Sequence, residues 1–447
     1  MPNLLSALRQ AALPLNGADD LAPLRHAIGD ARYVLLGEAS HGTHEFYAWR
    51  CALTRQLIQE QRCAFIAVEG DWPDCYRVNR YVKGYADSGE SAEQVLHAFE
   101  RWPTWMWANR EVVEFVEWLR AHNETLPVAE RIGFYGLDVY SLWESMEAVV
   151  EYLDTLDPEL ARAARAAYQC FEPYGRDARA YATATLMAPE NCEDEVVGVL
   201  RELRSRVVEY QDDAREAWYN TEQNAWIARG AEQYYRAMIR GGPASWNIRD
   251  RHMMETLERL MAHHGQRARA IVWEHNTHVG DARHTDMANA GMFNLGQLVR
   301  ESHPEAGHTF LLGFGTHRGT VMAADEWGAP MQRMRVPPAR RGSLEDLLHQ
   351  VLKSLREATK NRAPEMLMLI FNGTRNGGIP GLDAVLDHRA IGVVYHPEAE
   401  RWGNYVPSLV PRRYDAFAFM DSSRALDALH WSAHSHEQPP DTWPSGL

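Results

Sequence analysis

Residues 33–45 read Tyr33-Val34-Leu35-Leu36-Gly37-Glu38-Ala39-Ser40-His41-Gly42-Thr43-His44-Glu45. The four leading apolar residues predict a strand buried on both faces. A glycine-bracketed turn carrying an acid and an imidazole follows. Phe46, Trp49, Leu53 and Leu57 then recur at three- and four-residue spacing, which predicts a helix over 43–60. A strand that runs straight into a helix is the first half of a βαβ unit. The same grammar returns twice. Phe65-Ile66-Ala67-Val68 ends in Glu69-Gly70-Asp71, and Ala270-Ile271-Val272-Trp273 ends in Glu274-His275-Asn276-Thr277-His278. Strands are predicted at 32–37, 64–69, 132–137, 269–274, 309–314, 366–371, 391–395 and 415–419, with a helix near 110–121. This alternation places the chain in the α/β class, as a three-layer α/β/α fold with a mostly parallel sheet.

The pattern changes between about 141 and 265. Leu142, Met146, Val149 and Leu153 mark one helix; Val196, Leu200, Leu203, Val207 and Tyr210 mark another. No strand pattern interrupts them, so residues 141–265 are expected to form a large helical insertion into an α/β core made of 1–140 and 266–430. Residues 4–28 are mildly amphipathic and expected to be helical, 327–342 and 372–381 are expected to be loops rich in Gly and Pro, and 431–447 a poorly ordered tail.

Length and composition bound the function. A chain of 447 residues with 45% hydrophobic content can bury a sizeable core. The formal net charge of −15 argues against nucleic acid as a partner, because phosphate binding needs a basic face. The five cysteines form no C-x-x-C pair, so reduced thiols in a cytoplasmic protein are expected rather than a disulfide framework or a zinc ribbon. No signal peptide and no apolar run long enough for a bilayer is visible, so no membrane partner is expected.

In open parallel sheets ligands bind where the strands run out, and here acids and imidazoles cluster at those ends. His41 suits a general base at neutral pH, against the plainer reading of a helix-cap histidine. Glu38 and Glu69 follow two strands and can orient an imidazole or carry its charge, whereas helix-terminus pairing alone would explain one of them. Glu45 and Asp71 are weaker candidates that could face solvent. His275 and His278, three apart, share one face if a helical turn begins there, and Glu274 supports them. Arg50, Arg249 and Arg251 could stabilise an oxyanion, or simply pair with carboxylates. His317, in Gly313-Phe314-Gly315-Thr316-His317-Arg318-Gly319, either lines the cleft with substrate or sits in a turn, the turn being the simpler account. Trp102, Trp105 and Trp107 form an aromatic cluster that is either packing or a wall for a bulky substrate. There is no G-x-S-x-G elbow, no H-E-x-x-H and no P-loop, which disfavours a serine hydrolase, a zincin and a nucleotide enzyme.

Taken in order, Gly37-Glu38-Ala39-Ser40-His41-Gly42-Thr43, Val68-Glu69-Gly70-Asp71, Ile248-Arg249-Asp250 and Trp273-Glu274-His275-Asn276-Thr277-His278 resemble the erythromycin esterase family, over about residues 30–420. The resemblance implies an α/β core with a helical subdomain and hydrolysis of an ester by histidine-activated water. It places the base at His41, with Glu69 assisting and Glu38 beside them. His275 and His278 complete the set, with Arg50 and an arginine near 250 for which Arg249 fits the motif better than Arg251. The family is named for members that open a macrolactone. Gly313–Thr320 of this chain is more similar to the broader homologues than to the resistance enzymes.

The expected function is therefore hydrolysis of a carboxylic ester, with lactones and macrolactones among the candidates, a small-molecule ester as partner and no cofactor. Two rivals stand beside it. In a metallohydrolase His41, His44, His275 and His278 with a glutamate would ligate zinc or manganese. In a binding homologue the cleft would hold an apolar compound without turnover.

Overall fold

The computed structural model describes residues 2–61, 63–187, 191–205, 212–358, 364, 366–371 and 377–430. Eleven strands are present among them: β1 (Leu13–Leu15), β2 (Tyr33–Leu36), β3 (Phe65–Val68), β4 (Gly133–Gly136), β5 (Ala270–Trp273), β6 (Thr309–Ala323), β7 (Gln332–Val336), β8 (Met366–Ile370), β9 (Leu386–Arg389), β10 (Tyr405–Ser408) and β11 (Ala416–Ser423). Nine of them form one sheet in the order β1-β8-β11-β6-β2-β5-β3-β4, with β7 paired to β6; β9 and β10 form a separate antiparallel pair. From β11 to β4 every neighbour is parallel, while the pairings β8–β11, β1–β8 and β7–β6 are antiparallel.

Side-chain alternation explains the layers. Val34, Leu36, Ile66, Val68, Ile271 and Trp273 point to one apolar core, whereas Tyr33, Leu35, Phe65, Ala67, Ala270 and Val272 point to a second. The first is covered by helices His44–Gln61 and Arg110–Glu124, and the second by Ala244–His264 and Leu344–Ala358. Helices thus cover both faces of a mostly parallel sheet, an α/β/α sandwich. Both faces are buried, which is why the central strands read as unbroken apolar runs.

Register sets the height of every loop. Leu36 pairs with Trp273 and with Leu312, Val68 with Trp273, and Val68 with Gly136. The C-terminal ends of β2, β3, β4 and β5 therefore lie level. β5 enters between β2 and β3, and the chain then crosses to the far side of β2 with β6, so the strand order reverses at this edge.

Between β4 and β5 the described chain is helical. The helices Leu142–Leu156, Pro158–Tyr168, Ala178–Met187 and Glu193–Ser205 share a core with Ala225, Ala228, Ala231, Tyr234 and Tyr235 of the long helix Asp212–Met238. Ala244–His264 instead lays Met253, Met254, Leu257 and Leu260 on the sheet. Val207 and Tyr210, part of loop 372–381, and the tail 431–447 lie outside the described residues.

Several local expectations need correction. Residues 4–28 are not one helix: Pro14, Gly17 and Pro23 break the segment into the helix Pro2–Ala11, strand β1 and the helix Ala22–Ile28. Residues 391–395 are not a strand but a largely buried loop, bridged at Ser40 to Ile391 and Ala324 to Val394 and packed through Ile391 and Tyr395 against Val321, Ala323 and Val336. Residues 327–342 contain β7. β6 runs on through the glycines at 313 and 315, because the bare Gly313 makes room for the Tyr414 ring, 2.8 Å from where a Cβ would stand. His317 therefore sits inside a strand, not in a turn. Cys51, Cys63 and Cys75 are free and buried, but Cys170 and Cys192 are joined as a disulfide, their Cα atoms brought to 5.9 Å by the fold of the helical region rather than by any close spacing in sequence. No helix of the described chain is long and apolar enough to cross a membrane.

Candidate active site

The level strand ends deliver Glu38 and His41 after β2, Glu69 and Asp71 after β3, Asp138 after β4, and Glu274, His275 and His278 after β5. The turn after β2 is held from two sides. Gly42 lies so close to β6 that a Cβ would come 1.9 Å from the Met322 carbonyl oxygen, and the Gly42 carbonyl accepts from Met322 and Leu426 amides at 2.9 and 3.1 Å. Asn276 accepts a second role: its amide donates to the Glu38 carbonyl at 2.8 Å, and its side chain bonds both the amide and the carbonyl of Phe314 in β6.

Within this frame His41 Nδ1 meets Glu38 Oε1 at 2.9 Å, while Arg50 donates to Glu38 Oε2 at 2.6 Å. Glu38 thus fixes Nδ1 as the protonated nitrogen and leaves Nε2 with its lone pair. Arg50 is fully buried, its guanidinium 4.4 Å from the Tyr47 ring centroid and 5.2 Å from that of Trp273. It acts behind Glu38 and does not reach the cleft.

A second network is centred on Arg249. Its Nε and Nη2 donate to the two oxygens of Asp138 at 2.9 and 2.7 Å, and Nη2 also donates to Glu69 Oε1 at 2.8 Å. Glu69 Oε2 accepts from the His275 amide at 2.8 Å. His278 Nδ1 donates to Asp250 at 2.9 Å, and its Nε2 lies 3.1 Å from Arg249 Nη1 and 3.5 Å from Glu69 Oε1. The His41 and His275 rings, centroids 4.9 Å apart, join the two networks.

Environment gives these groups different charges. Burial would raise Glu69, but His278, His41, Arg249 and the His275 amide together hold it well below the usual carboxylate range, so it is ionised. Burial opposes charge on His278, yet Asp250 and Glu69 outweigh it and raise its pKa. His275 is pushed well below the usual value by burial and by His41 beside it, and stays neutral. Glu274 is raised far above the usual value by burial and then by Glu69 and Asp250; neither of its oxygens has a hydrogen-bond partner among the described residues, and it is held as the neutral acid.

The cleft above has a polar floor of His41, Glu69, Asp138 and Arg249 and an apolar wall that includes Phe99, Trp102, Met106, Trp107, Tyr140 and Trp327. Trp102 packs against Trp327 at 4.5 Å and edge-on against the buried Trp105 at 5.4 Å, so Trp105 supports the wall without facing the cleft. Asp71, also in the lining, is pushed up to about 7 by burial, against the opposing pull of Arg101, whose Nε is 2.5 Å from Asp71 Oδ2.

The structure therefore gathers His41, Glu38, Arg50, Glu69, Arg249, His275 and His278 into one contiguous cluster. Arg251 and His317 fall outside it. Arg251 stands 5.1 Å over the Phe293 ring in another pocket, and His317 stacks on His349 at 3.9 Å. His44 pairs with Glu111 at 2.5 Å, away from the other three histidines, and no group of three His, Cys, Asp or Glu among the described residues could hold a metal ion. Sequence reasoning missed Asp138, although it stands two residues past β4 as Glu38 stands two past β2. It also gave Asp250 no role beyond its place in a motif.

The chain is similar to known proteins in sequence and in fold. The sequence model of the erythromycin esterase family matches residues 58–423. A curated relative, erythromycin esterase type II of Escherichia coli, is 31% identical over 150 residues, which span a third of this chain (33%) and a third of that relative (33%). Among solved structures, a succinoglycan biosynthesis protein superposes with a TM-score of 0.76 at 19% identity, covering 95% of this chain and 98% of that one. A Bacillus cereus protein gives 0.77 at 17%, covering 96% and 99%. A histidine-to-asparagine mutant of erythromycin esterase EreC in its open conformation gives 0.65 at 14%, covering 94% and 99%. The α/β fold and its edge-of-sheet site define the class, and the sequence match defines the group within it. The chain belongs to the erythromycin esterase family.

Proposed function

We propose that the chain hydrolyses a carboxylic ester or lactone by water activation, without a serine nucleophile. The observation that carries this reading is the Glu38–His41 contact of 2.9 Å, which leaves the other ring nitrogen of a cleft-lining histidine free to act as base. His41 Nε2 takes a proton from water as the water oxygen bonds to the ester carbonyl carbon, and the carbonyl π pair moves to its oxygen. Glu38, held by Arg50, stabilises the imidazolium. Arg249, a cation in the cleft floor, offers charge to the oxyanion. The tetrahedral adduct collapses, the C–O bond to the alcohol breaks, and the alkoxide takes the proton back from His41. Glu69 and Asp138 hold Arg249 in place. The aromatic wall suits an ester with a bulky apolar part, and the family name makes macrolactones members of the panel to be tested.

The test is turnover of a panel of esters, lactones and macrolides, with and without chelator, for the intact protein and His41→Ala. Chelator-resistant turnover that His41→Ala reduces by about 10²–10⁴-fold or more is the expected result. A His41→Ala protein with the wild-type rate overturns the assignment of the base. Turnover lost to chelator and restored by zinc or manganese overturns the metal-free mechanism.

A further inference from the structure

The helix Ala244–His264 has two polar faces. One presents Arg249 to the cleft described above. The other, with Arg251 and Glu255, lines a separate pocket whose remaining wall includes Trp226, Arg229 and Gln233 of the helix Asp212–Met238 and Phe293. Arg229 lies over the Trp226 ring at 4.8 Å and Arg251 over the Phe293 ring at 5.1 Å. Among the described residues neither guanidinium has a carboxylate within ion-pair distance. Arg50, Arg101 and Arg249 by contrast are each paired with one or two carboxylates.

A guanidinium whose face rests on an aromatic ring keeps its N–H edges directed outward, in the fork that matches an oxyanion. The surroundings add to the positive field. Arg204 and Arg259 also stand at the Trp226 ring, at 5.1 and 5.0 Å, and share Glu222 as their carboxylate partner. The pocket lining itself holds two guanidiniums, Arg229 and Arg251, and one carboxylate, Glu255, in a chain of net charge −15. The Trp226 ring lies in the pocket lining, and its indole N–H is buried with no acceptor among the described residues.

We propose that this pocket binds a small-molecule oxyanion, a phosphate or a carboxylate, between Arg229 and Arg251, with the Trp226 and Phe293 rings as its walls. The site is separate from the hydrolytic cleft and does not depend on the reaction assigned there. Calorimetric titration of the full chain with inorganic phosphate, and separately with acetate, at low ionic strength tests it. The expected result is saturable one-site binding that Arg229→Gln/Arg251→Gln weakens by about tenfold or more, while His41→Ala binds like the wild type. Preference for phosphate over acetate identifies a phosphate site, and the reverse identifies a carboxylate site. Circular dichroism checks the fold of the double variant; Arg251→Gln alone changes an exposed side chain and gives an intermediate loss if the double variant is unfolded. No saturable binding, equal binding by the arginine variants, or binding lost only in His41→Ala overturns the proposal.

Discussion

His275 caps the short helix Asn276–Val279 and His278 lies on it, three residues on, yet the two carry opposite electrostatics. Both are buried, so burial does not distinguish them; their partners do. His278 has Asp250 and Glu69, whereas His275 faces the ring of His41. The same logic makes Glu38 the residue on which the proposed base, His41, depends. Glu38→Gln keeps the size of the side chain but removes the charge that balances an imidazolium and frees the ring to adopt the other tautomer. The expected outcome is a fall in kcat of roughly 10²–10⁴-fold with KM little changed, read from steady-state kinetics. A kcat within about twofold of wild type would show that Glu38 only packs. Sequence reading reached most of this constellation because the residues follow apolar runs that are plainly strands. It could not choose between Arg249 and Arg251 by spacing alone. Two helical residues two apart point about 200° from each other, so only one can face the sheet edge, and only the motif Ile248-Arg249-Asp250 favours Arg249.

Among the elements, the turn after β5 depends on one amide side chain. Asn276 closes hydrogen bonds to Phe314 N and O and contacts His388 Nε2 at 3.2 Å, and Arg413 donates to its carbonyl at 3.0 Å. Asn276→Ala leaves two buried backbone groups of β6 without partners. A loss of about 2–4 kcal/mol in urea unfolding is expected, and a loss under about 0.5 kcal/mol would mean that water replaces the amide. Legibility differed between elements for a physical reason. β2, β3, β5 and β11 are buried on both faces and announce themselves. β7 reads Gln-Arg-Met-Arg-Val, a half-exposed antiparallel strand with no apolar run, and was invisible. Residues 391–395 are apolar because Ile391, Val393 and Tyr395 are buried, but burial of a loop and burial of a strand look alike in sequence.

For the molecule as a whole, buried titratable groups make stability depend on pH in opposing directions. His252 is held down to about 4 by burial, from an unfolded value of 6.5. Between these values the unfolded chain holds a proton that the folded chain does not, so this stabilisation is complete above 6.5 and is lost as pH falls toward 4. Asp71, pushed up to about 7, works the other way: the folded chain holds its proton longer, and that contribution is lost as pH rises through about 7. The two overlap, so a single pH profile does not separate them, but a variant does. His252→Asn should lose less stability than wild type between pH 6.5 and 4, the difference approaching ~3 kcal/mol in paired denaturant titrations. Parallel profiles would show that His252 is already free to take a proton in the folded state.

β4 is the last strand of the sheet, with no neighbouring strand on its outer side among the described residues. The Phe134 amide there donates to Asn79 Oδ1 at 3.0 Å, and the Ile132 amide and carbonyl are taken by Asn123 at 2.8 and 2.9 Å. An open strand edge is a template on which another chain can add and start an aggregate. Here two side-chain amides imitate the missing strand, and Asn79 comes from the helix Trp72–Val82 laid along that side. The edge nearest the loops of the candidate site is thereby closed to recruitment, and the protein can keep its parallel sheet open at both ends without polymerising through this one.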